Sequence, residues 1–375
     1  MPERPTAGPA VRRAALIGRI AQAGIDALLV TDLINIRYLT GFTGSNAALL
    51  IGGAGGGLES DAGDDSVIFC TDGRYETQSA QQLPELRRII DRASDRALIS
   101  RAAGRVGFES HALSYAGHRA LGEAAAAASE TIELVATAGL VESGRAIKDS
   151  AEIEALGTAC AVADQAFADM IDAGGVRPGR SEREMSLDLD QRMRMLGATD
   201  PAFPTIVAAG KNSAVPHHQP TDAAAHRGDL VKFDFGAEVG GYHSDMTRTI
   251  VLGPPAGWQR EIYDVVASAQ QAGRDALLPG ATGHEVDSAA RSIVEAGGHR
   301  DHFIHGLGHG IGLQIHEAPA VGRDCTAIMA ADMCVTVEPG IYLPDRGGVR
   351  IEDSGVVRPD GYHVLTMTTK ELLVL

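Results

Sequence analysis

Asp234 falls in the middle of the apolar run VKFDFG, and Asp245 follows in YHSDMTRT. The alternation of VKFDFGAEV, the Gly240-Gly241 pair and the alternation of YHSDMTRTIVL read together as a β-hairpin. A carboxylate within an apolar strand is costly to bury unless it is paired or bound to a cation. A single inward Asp is most often salt-bridged. Two on facing strands of one hairpin are a sharper signal, because like charges held close call for a cation between them. A second pair of acids lies in VTVEPGIYLPDRGGVRIEDSGVV, residues 335–357. Glu338 ends an apolar strand at Pro339-Gly340, and Glu352 reads as mid-strand, two residues after Arg350. Either acid could form an ordinary ion pair with Arg350, but the match to the first hairpin favours a shared site.

Between these pairs, residues 299–316 hold five of the chain's 13 histidines. His305 and His309 stand four apart, the spacing of a zinc pair on a helix. Gly306, Gly308, Gly310 and Gly312 argue against a helix, and an extended, Gly-lined segment that presents His309 fits better. His299 and His302 read as loop residues. Two Asp, two Glu and one or more His make an oxygen-rich ligand set, suited to Mn(II), Fe(II), Co(II) or Zn(II) rather than a thiolate-held structural zinc. Four carboxylates would be neutralised by two divalent cations, and such a pair activates water and polarises a carbonyl, which is hydrolytic chemistry. Kinase-like fragments (Asp234-Phe235-Gly236 and His299-Arg300-Asp301) come in reversed order and lack a Gly-rich loop followed by a lysine strand. Gly210-Lys211 lacks the upstream Gly of a phosphate loop, and no G-x-S-x-G elbow is present.

The elements that must position these residues occupy a chain of 375 residues, long enough for two or three domains. Hydrophobic residues are 44%, charged residues 22% and aromatics 4%, so a core of Ala, Val, Leu and Ile is expected. The net charge of −16 argues against nucleic acid or anionic membrane as partners. No apolar run reaches membrane-spanning length, and the N-terminal residues lack a signal-peptide core. Cys70, Cys160, Cys325 and Cys334 form no CxxC pair and read as reduced, buried thiols of a cytoplasmic protein.

Residues 1–140 read as a mixed α/β domain: a helix at 11–24, a buried strand IDALLVT, then strand, turn and strand over 35–53, a mobile Gly/Asp-rich loop at 53–65, and further strands at SVIFCTD and RVGFES. A boundary at 141–150 leads into a second domain, 141–375, which begins with a long helix capped by Asp149 or Ser150. That domain repeats itself. Pro178-Gly179-Arg180-Ser181 and Pro279-Gly280-Ala281-Thr282 each open a helix, 101 residues apart, and DLVKFDFG resembles DMCVTVEPG. Such a duplication brings distant residues to one seam between two pseudo-symmetric halves.

DFGAEVGGYHSDMTRT, HGLGHGIGLQIHE, VTVEPGIY and VRIED, in this order, resemble the Xaa-Pro peptidases, prolidase and aminopeptidase P of the pita-bread metallopeptidases. The resemblance covers 141–375 strongly, and residues 1–140 are more loosely similar to the creatinase-type N-terminal domain of those enzymes. It implies an α/β (α+β) chain with a creatinase-like domain followed by a pseudo-symmetric pita-bread domain. It implies metal ligands Asp234, Asp245, His309, Glu338 and Glu352 for two divalent ions, Mn2+ first, with Co2+ or Zn2+ as alternatives. Glu338 would also be the general base. His217, rather than His218, matches a histidine lining the site; His305 and His316 match substrate-facing histidines; Arg350 resembles an arginine that orients the second glutamate. Phe203 or Tyr242 would flank a proline ring, and Arg323 is a candidate for a proline carboxylate. The resemblance implies hydrolysis of the Xaa-Pro bond in dipeptides or short peptides, with a dipeptidase favoured over an aminopeptidase P, and a homodimer. Methionine aminopeptidases usually lack a domain like 1–140. Creatinase works without metal, and a catalytically inactive pita-bread binding module would typically lose ligands that are intact here.

Overall fold

The computed structural model describes residues 8–53 and 66–375; the loop expected at 53–65 lies, but for Gly53, outside the described residues. The chain divides into two compact units, Met1–Arg145 and Ala146–Leu375. Among the described residues, no helix is long and apolar enough to cross a membrane.

In the first unit, six strands form one mixed sheet in the order Arg87–Ile90, Val67–Thr71, Ala47–Gly52, Ala27–Val30, Gly104–Glu109, Ile132–Thr137. Its central strands are buried on both faces, as their near-continuous apolar sequences require. The helix expected near the start runs Pro9–Gln22, with Gly24 at φ 66° behind it. One expectation is corrected: the stretch around NIRYLT is the helix Leu33–Thr40, not a strand. The Asp32 carboxylate accepts from the Ile34 and Asn35 amides at 2.8 and 3.0 Å, and this cap outweighs the β-preference of Ile and Tyr.

The second unit opens with the helix Ser150–Asp172, capped by Asp149 in a capping box with Glu152. The duplication is then explicit. Gly179 and Gly280 both take positive φ, 85° and 98°. Ser181 and Thr282 cap the helices Glu182–Met195 and Gly283–Ala296, each in a capping box with the Glu three residues on, Glu184 or Glu285. Both caps also bridge antiparallel to a later strand-like segment, Ser181 to Ala224 and Thr282 to Ile328. Each helix packs over its own core. One holds Phe167, Met185, Leu189, Phe233 and Phe235; the other holds Val266, Val286, Val294, Leu307 and Val337.

Two sheets carry the acids and the histidine segment. In one, Leu230–Phe235 lies between Ile206–Ala209 and Met246–Val251, antiparallel to both. In the other, the order is Glu317–Val321, Gly308–Gly310, Cys334–Val337, Asp353–Arg358, Gly361–Val364. The expected hairpin is present, turning at Gly240 and Gly241. Glu352 departs from expectation. It is not mid-strand but in the two-residue break where Gly347–Arg350, paired with Gly340–Leu343, gives way to Asp353–Arg358, paired with Cys334–Val337. The break is held from outside: the Glu352 amide donates to the Thr247 carbonyl at 3.1 Å, and Arg350 exchanges hydrogen bonds with the Thr249 hydroxyl.

Candidate metal centre

Asp234, Asp245, His309, Glu338 and Glu352 line a single cleft, together with His217, His316 and an apolar wall of Phe203, Pro204, Ile206 and Ile315. The hairpin register puts Asp234 opposite Thr247 and Phe235 opposite Met246, so Asp245 leaves the ladder just beyond Met246. His309 is central in the three-residue strand Gly308–Gly310. A Cβ on Gly308 would stand 2.1 Å from the Thr336 carbonyl oxygen, and one on Gly310 2.2 Å from that of Ala318. The glycines are therefore what lets this strand lie flush between its neighbours. The His309 amide donates to Thr336 Oγ1 at 3.1 Å, and its Nδ1 lies 3.0 Å from the Gly310 carbonyl. Nδ1 so placed donates, which turns Nε2 toward Asp245 and Glu338, each 3.5 Å away.

The electrostatics of this cluster are those of a site short of positive charge. Burial, and then the charge of Glu352, pushes Asp245 well above the carboxylate range. Burial and the charges of Glu338 and Asp234 do the same to Glu352. Burial takes Glu338 up to about 7 although His309 and Arg350 oppose it. Burial disfavours a charged His309, yet the hydrogen bond to Asp245 and the charge of Glu338 pull it up to about 10. Three buried carboxylates and the half-buried Glu338 thus borrow a proton on His309 and the guanidinium of Arg350. Ligand atoms of Asp245, His309 and Glu352 lie within 4.8 Å of one another, close enough to share one ion. Hard oxygen donors with one imidazole suit small divalent cations, so the residues present fit a metal centre.

Arg350 binds the acids into one arrangement. Its Nη2 pairs with Asp234 Oδ2, its Nε donates to Thr247 Oγ1 at 2.9 Å and stands 4.0 Å from Glu338, and its Nη1 donates to the Tyr342 hydroxyl at 2.8 Å. Thr247 Oγ1 in turn donates to Glu352 Oε2 at 2.7 Å. His316 stacks edge-on near His309, with ring centroids 4.4 Å apart. His217 faces the cleft, while His218 is turned away to Glu182 at 2.8 Å. His305 sits elsewhere than expected. It does not line the cleft: Nδ1 lies 2.8 Å from the Gly306 carbonyl and Nε2 2.8 Å from the Tyr342 hydroxyl, and burial lowers it to about 3, so it is neutral. Phe203 lines the cleft; Tyr242 does not, its hydroxyl donating to Glu152 at 2.9 Å. Arg323 is exposed and outside the lining set. Thr247, Thr336 and Tyr342 were not singled out from the sequence. The signal that could have found Thr247 is the polar run Thr247-Arg248-Thr249 inside a short strand that faces Asp234. Cys70, Cys160 and Cys334 are buried free thiols as expected, but Cys325 is half-buried.

Residues 154–359 match metallopeptidase family M24, and residues 12–147 match the creatinase/prolidase N-terminal domain. The chain is 36% identical over 360 residues to an Xaa-Pro dipeptidase from Pyrococcus furiosus, covering 96% of this chain and 98% of that one. It superposes on an Xaa-Pro dipeptidase from Bacillus anthracis with a TM-score of 0.90 at 36% identity, covering 98% and 100% of the two chains. An X-Pro aminopeptidase from Thermotoga maritima superposes with a TM-score of 0.85 at 30% identity, covering 97% and 99%.

Proposed function

Since the chain belongs to metallopeptidase family M24 and carries a creatinase/prolidase N-terminal domain, we propose that it is an Xaa-Pro peptidase, a metal-dependent hydrolase of the bond before proline with dipeptides as favoured substrates. The observation that carries this reading is the meeting of four carboxylates, three of them buried, with His309 in one cleft that has an apolar wall. The relatives that are Xaa-Pro dipeptidases over nearly their whole length support the substrate class.

In this reading Asp234, Asp245, His309, Glu338 and Glu352 hold two divalent cations, manganese first. Such a pair would supply an activated water and an electrophile for the scissile carbonyl. The bond before proline is a tertiary amide without an N–H, so the site cannot rely on a donor there. Phe203, Pro204, Ile206 and Ile315 offer the pyrrolidine ring an apolar surface instead. Glu338, on the cleft wall, accepts the proton of the attacking water and returns it to the departing proline nitrogen. His316 and His217 hold the peptide carbonyl as its oxygen gains charge. His305 acts through Tyr342 rather than on the substrate, since both its ring nitrogens are engaged. Arg350 and Thr247 fix the acids, which holds the cleft in shape before a substrate arrives.

The test is hydrolysis of an Xaa-Pro dipeptide and an Xaa-Pro-Xaa tripeptide, side by side, by protein loaded with Mn(II) and by protein treated with chelator. Cleavage of the dipeptide that chelation abolishes is expected. Cleavage of the tripeptide alone would make the protein an aminopeptidase of the kind its Thermotoga maritima neighbour is. No cleavage by metal-replete protein would leave the inactive binding module. The protein is further proposed to act in the cytoplasm as a homodimer, and a monomeric sedimentation profile would overturn the second part.

A further inference from the structure

Lys232 lies two residues before Asp234 in the Leu230–Phe235 strand, hence on the same face, and has no exposed surface. A buried ammonium is costly unless its three N–H groups find acceptors. Here all three turn to one short segment. Nζ donates to the carbonyls of Val215 at 2.6 Å, Pro216 at 3.2 Å and Ser213 at 3.3 Å. That segment leads directly into His217, the cleft histidine. It has little apolar burial of its own: Val215 is 46% exposed, and only the short 3-10 turn Gly210–Ala214 precedes it. Two further bonds fall on the same stretch, from Arg350 Nη1 to the Pro216 carbonyl at 3.3 Å and from the Gly348 amide to Ser213 Oγ at 2.9 Å. The turn Gly210–Ala214 packs against the strands Ile206–Ala209 and Gly347–Arg350, and side-chain hydrogen bonds hold the Val215 and Pro216 carbonyls that follow it.

We infer that Lys232 is a positioning residue for His217: it clamps the carbonyls of residues 213–216 and so sets where the imidazole enters the cleft. The inference rests on the reading above, in which His217 serves the bound peptide. It also explains a lysine inside a strand whose other inward neighbours are apolar or acidic. A lysine that merely filled the core would stabilise the whole unit without favouring one loop.

The experiment replaces Lys232 by Met, which keeps the length and removes the donors. In hydrogen exchange of the intact protein, peptides covering 210–218 are expected to exchange at least about tenfold faster, while those covering 230–235 and 246–251 are unchanged. With metal loaded, kcat/KM on an Xaa-Pro peptide is expected to fall about ten- to a hundredfold with metal affinity unchanged. In the His217→Ala background the same substitution should change kcat/KM by less than about twofold, because the residue it acts through is gone. Unchanged exchange at 210–218, exchange raised throughout 146–375, or an equal loss in both backgrounds would each overturn the inference. If the wild-type protein cleaves no Xaa-Pro peptide, the functional reading fails and the exchange pattern alone decides the clamp. Should K232M not fold, K232L, a shorter side chain that likewise lacks N–H donors, takes its place with the same readouts.

Discussion

Arg350 holds the arrangement of the acids together. Its guanidinium reaches Asp234, Thr247, Glu338, Tyr342 and the Pro216 carbonyl, none of them exposed. Thr247 passes that order on to Glu352 through a single hydroxyl. Outer partners of this kind typically account for ten- to a hundredfold in metal affinity. Thr247→Val, which keeps the shape and removes the hydroxyl, is therefore expected to weaken Mn(II) binding by about that factor, as read by calorimetry. Asp245→Ala is expected to abolish hydrolysis while circular dichroism and the melting temperature of the metal-free protein are unchanged or raised, because it thins out a crowded set of buried acids. A metal-replete, active D245A would defeat its place as a ligand. The residue types and spacings singled out Asp234, Glu338, Glu352 and His309, which break an apolar or Gly-lined pattern, and Asp245 as the second acid of the hairpin; naming these five, and no others, as the ligands took the family resemblance. They could not announce His305's turn toward Tyr342, because a histidine's direction depends on a tyrosine hydroxyl 37 residues away.

At the scale of elements, Asp234 and Glu338 are brought to the cleft by two copies of one device, a capped helix over a strand with an acid near its end. Ser181 and Thr282 satisfy their helix amides at 3.2 Å each, and Glu184 and Glu285 return the bond at 2.8 and 2.7 Å. Thr282→Ala should cost about 1 kcal/mol of unfolding free energy, measured by denaturant titration. A repeat visible in the sequence thus became symmetric geometry, because capping is local and the motif contains all its parts. The strand Gly308–Gly310 is the less forgiving element. Gly310→Ala would drive a methyl into the Ala318 carbonyl, with about 1–3 kcal/mol lost and activity falling as His309 is displaced. What the sequence pattern did not convey is the helix Leu33–Thr40, whose residues favour strands and whose cap decides otherwise. Nor did it convey the break at Glu352, which exists only because the chain changes sheets there.

For the whole molecule, the concentration of buried acids makes stability a function of metal and pH together. In the metal-free chain Glu338 keeps its proton up to about 7, whereas an unfolded glutamate releases it near 4.5; Asp245 and Glu352 are shifted in the same direction. Across that window the folded state binds more protons than the unfolded state, so stability falls as pH rises. His309 adds to the same slope. Its folded form stays protonated up to about 10 and its unfolded form loses the proton near 6.5, so a contribution fully present below 6.5 is lost as pH climbs to about 10. His305, lowered to about 3, gives the opposite slope below 6.5, where its unfolded form still binds a proton. The melting temperature in chelator is therefore expected to fall from about pH 7 to pH 9, where the raised groups titrate. Cations reverse the terms. They bind ionised carboxylates and a neutral imidazole, so their affinity, and the stabilisation that follows from it, grow as protons leave. With saturating Mn(II) the same scan should flatten or rise, and the gap between the two curves should widen with pH. Parallel curves with and without metal would mean that these acids do not meet a cation in the folded chain, whatever their spacing suggests.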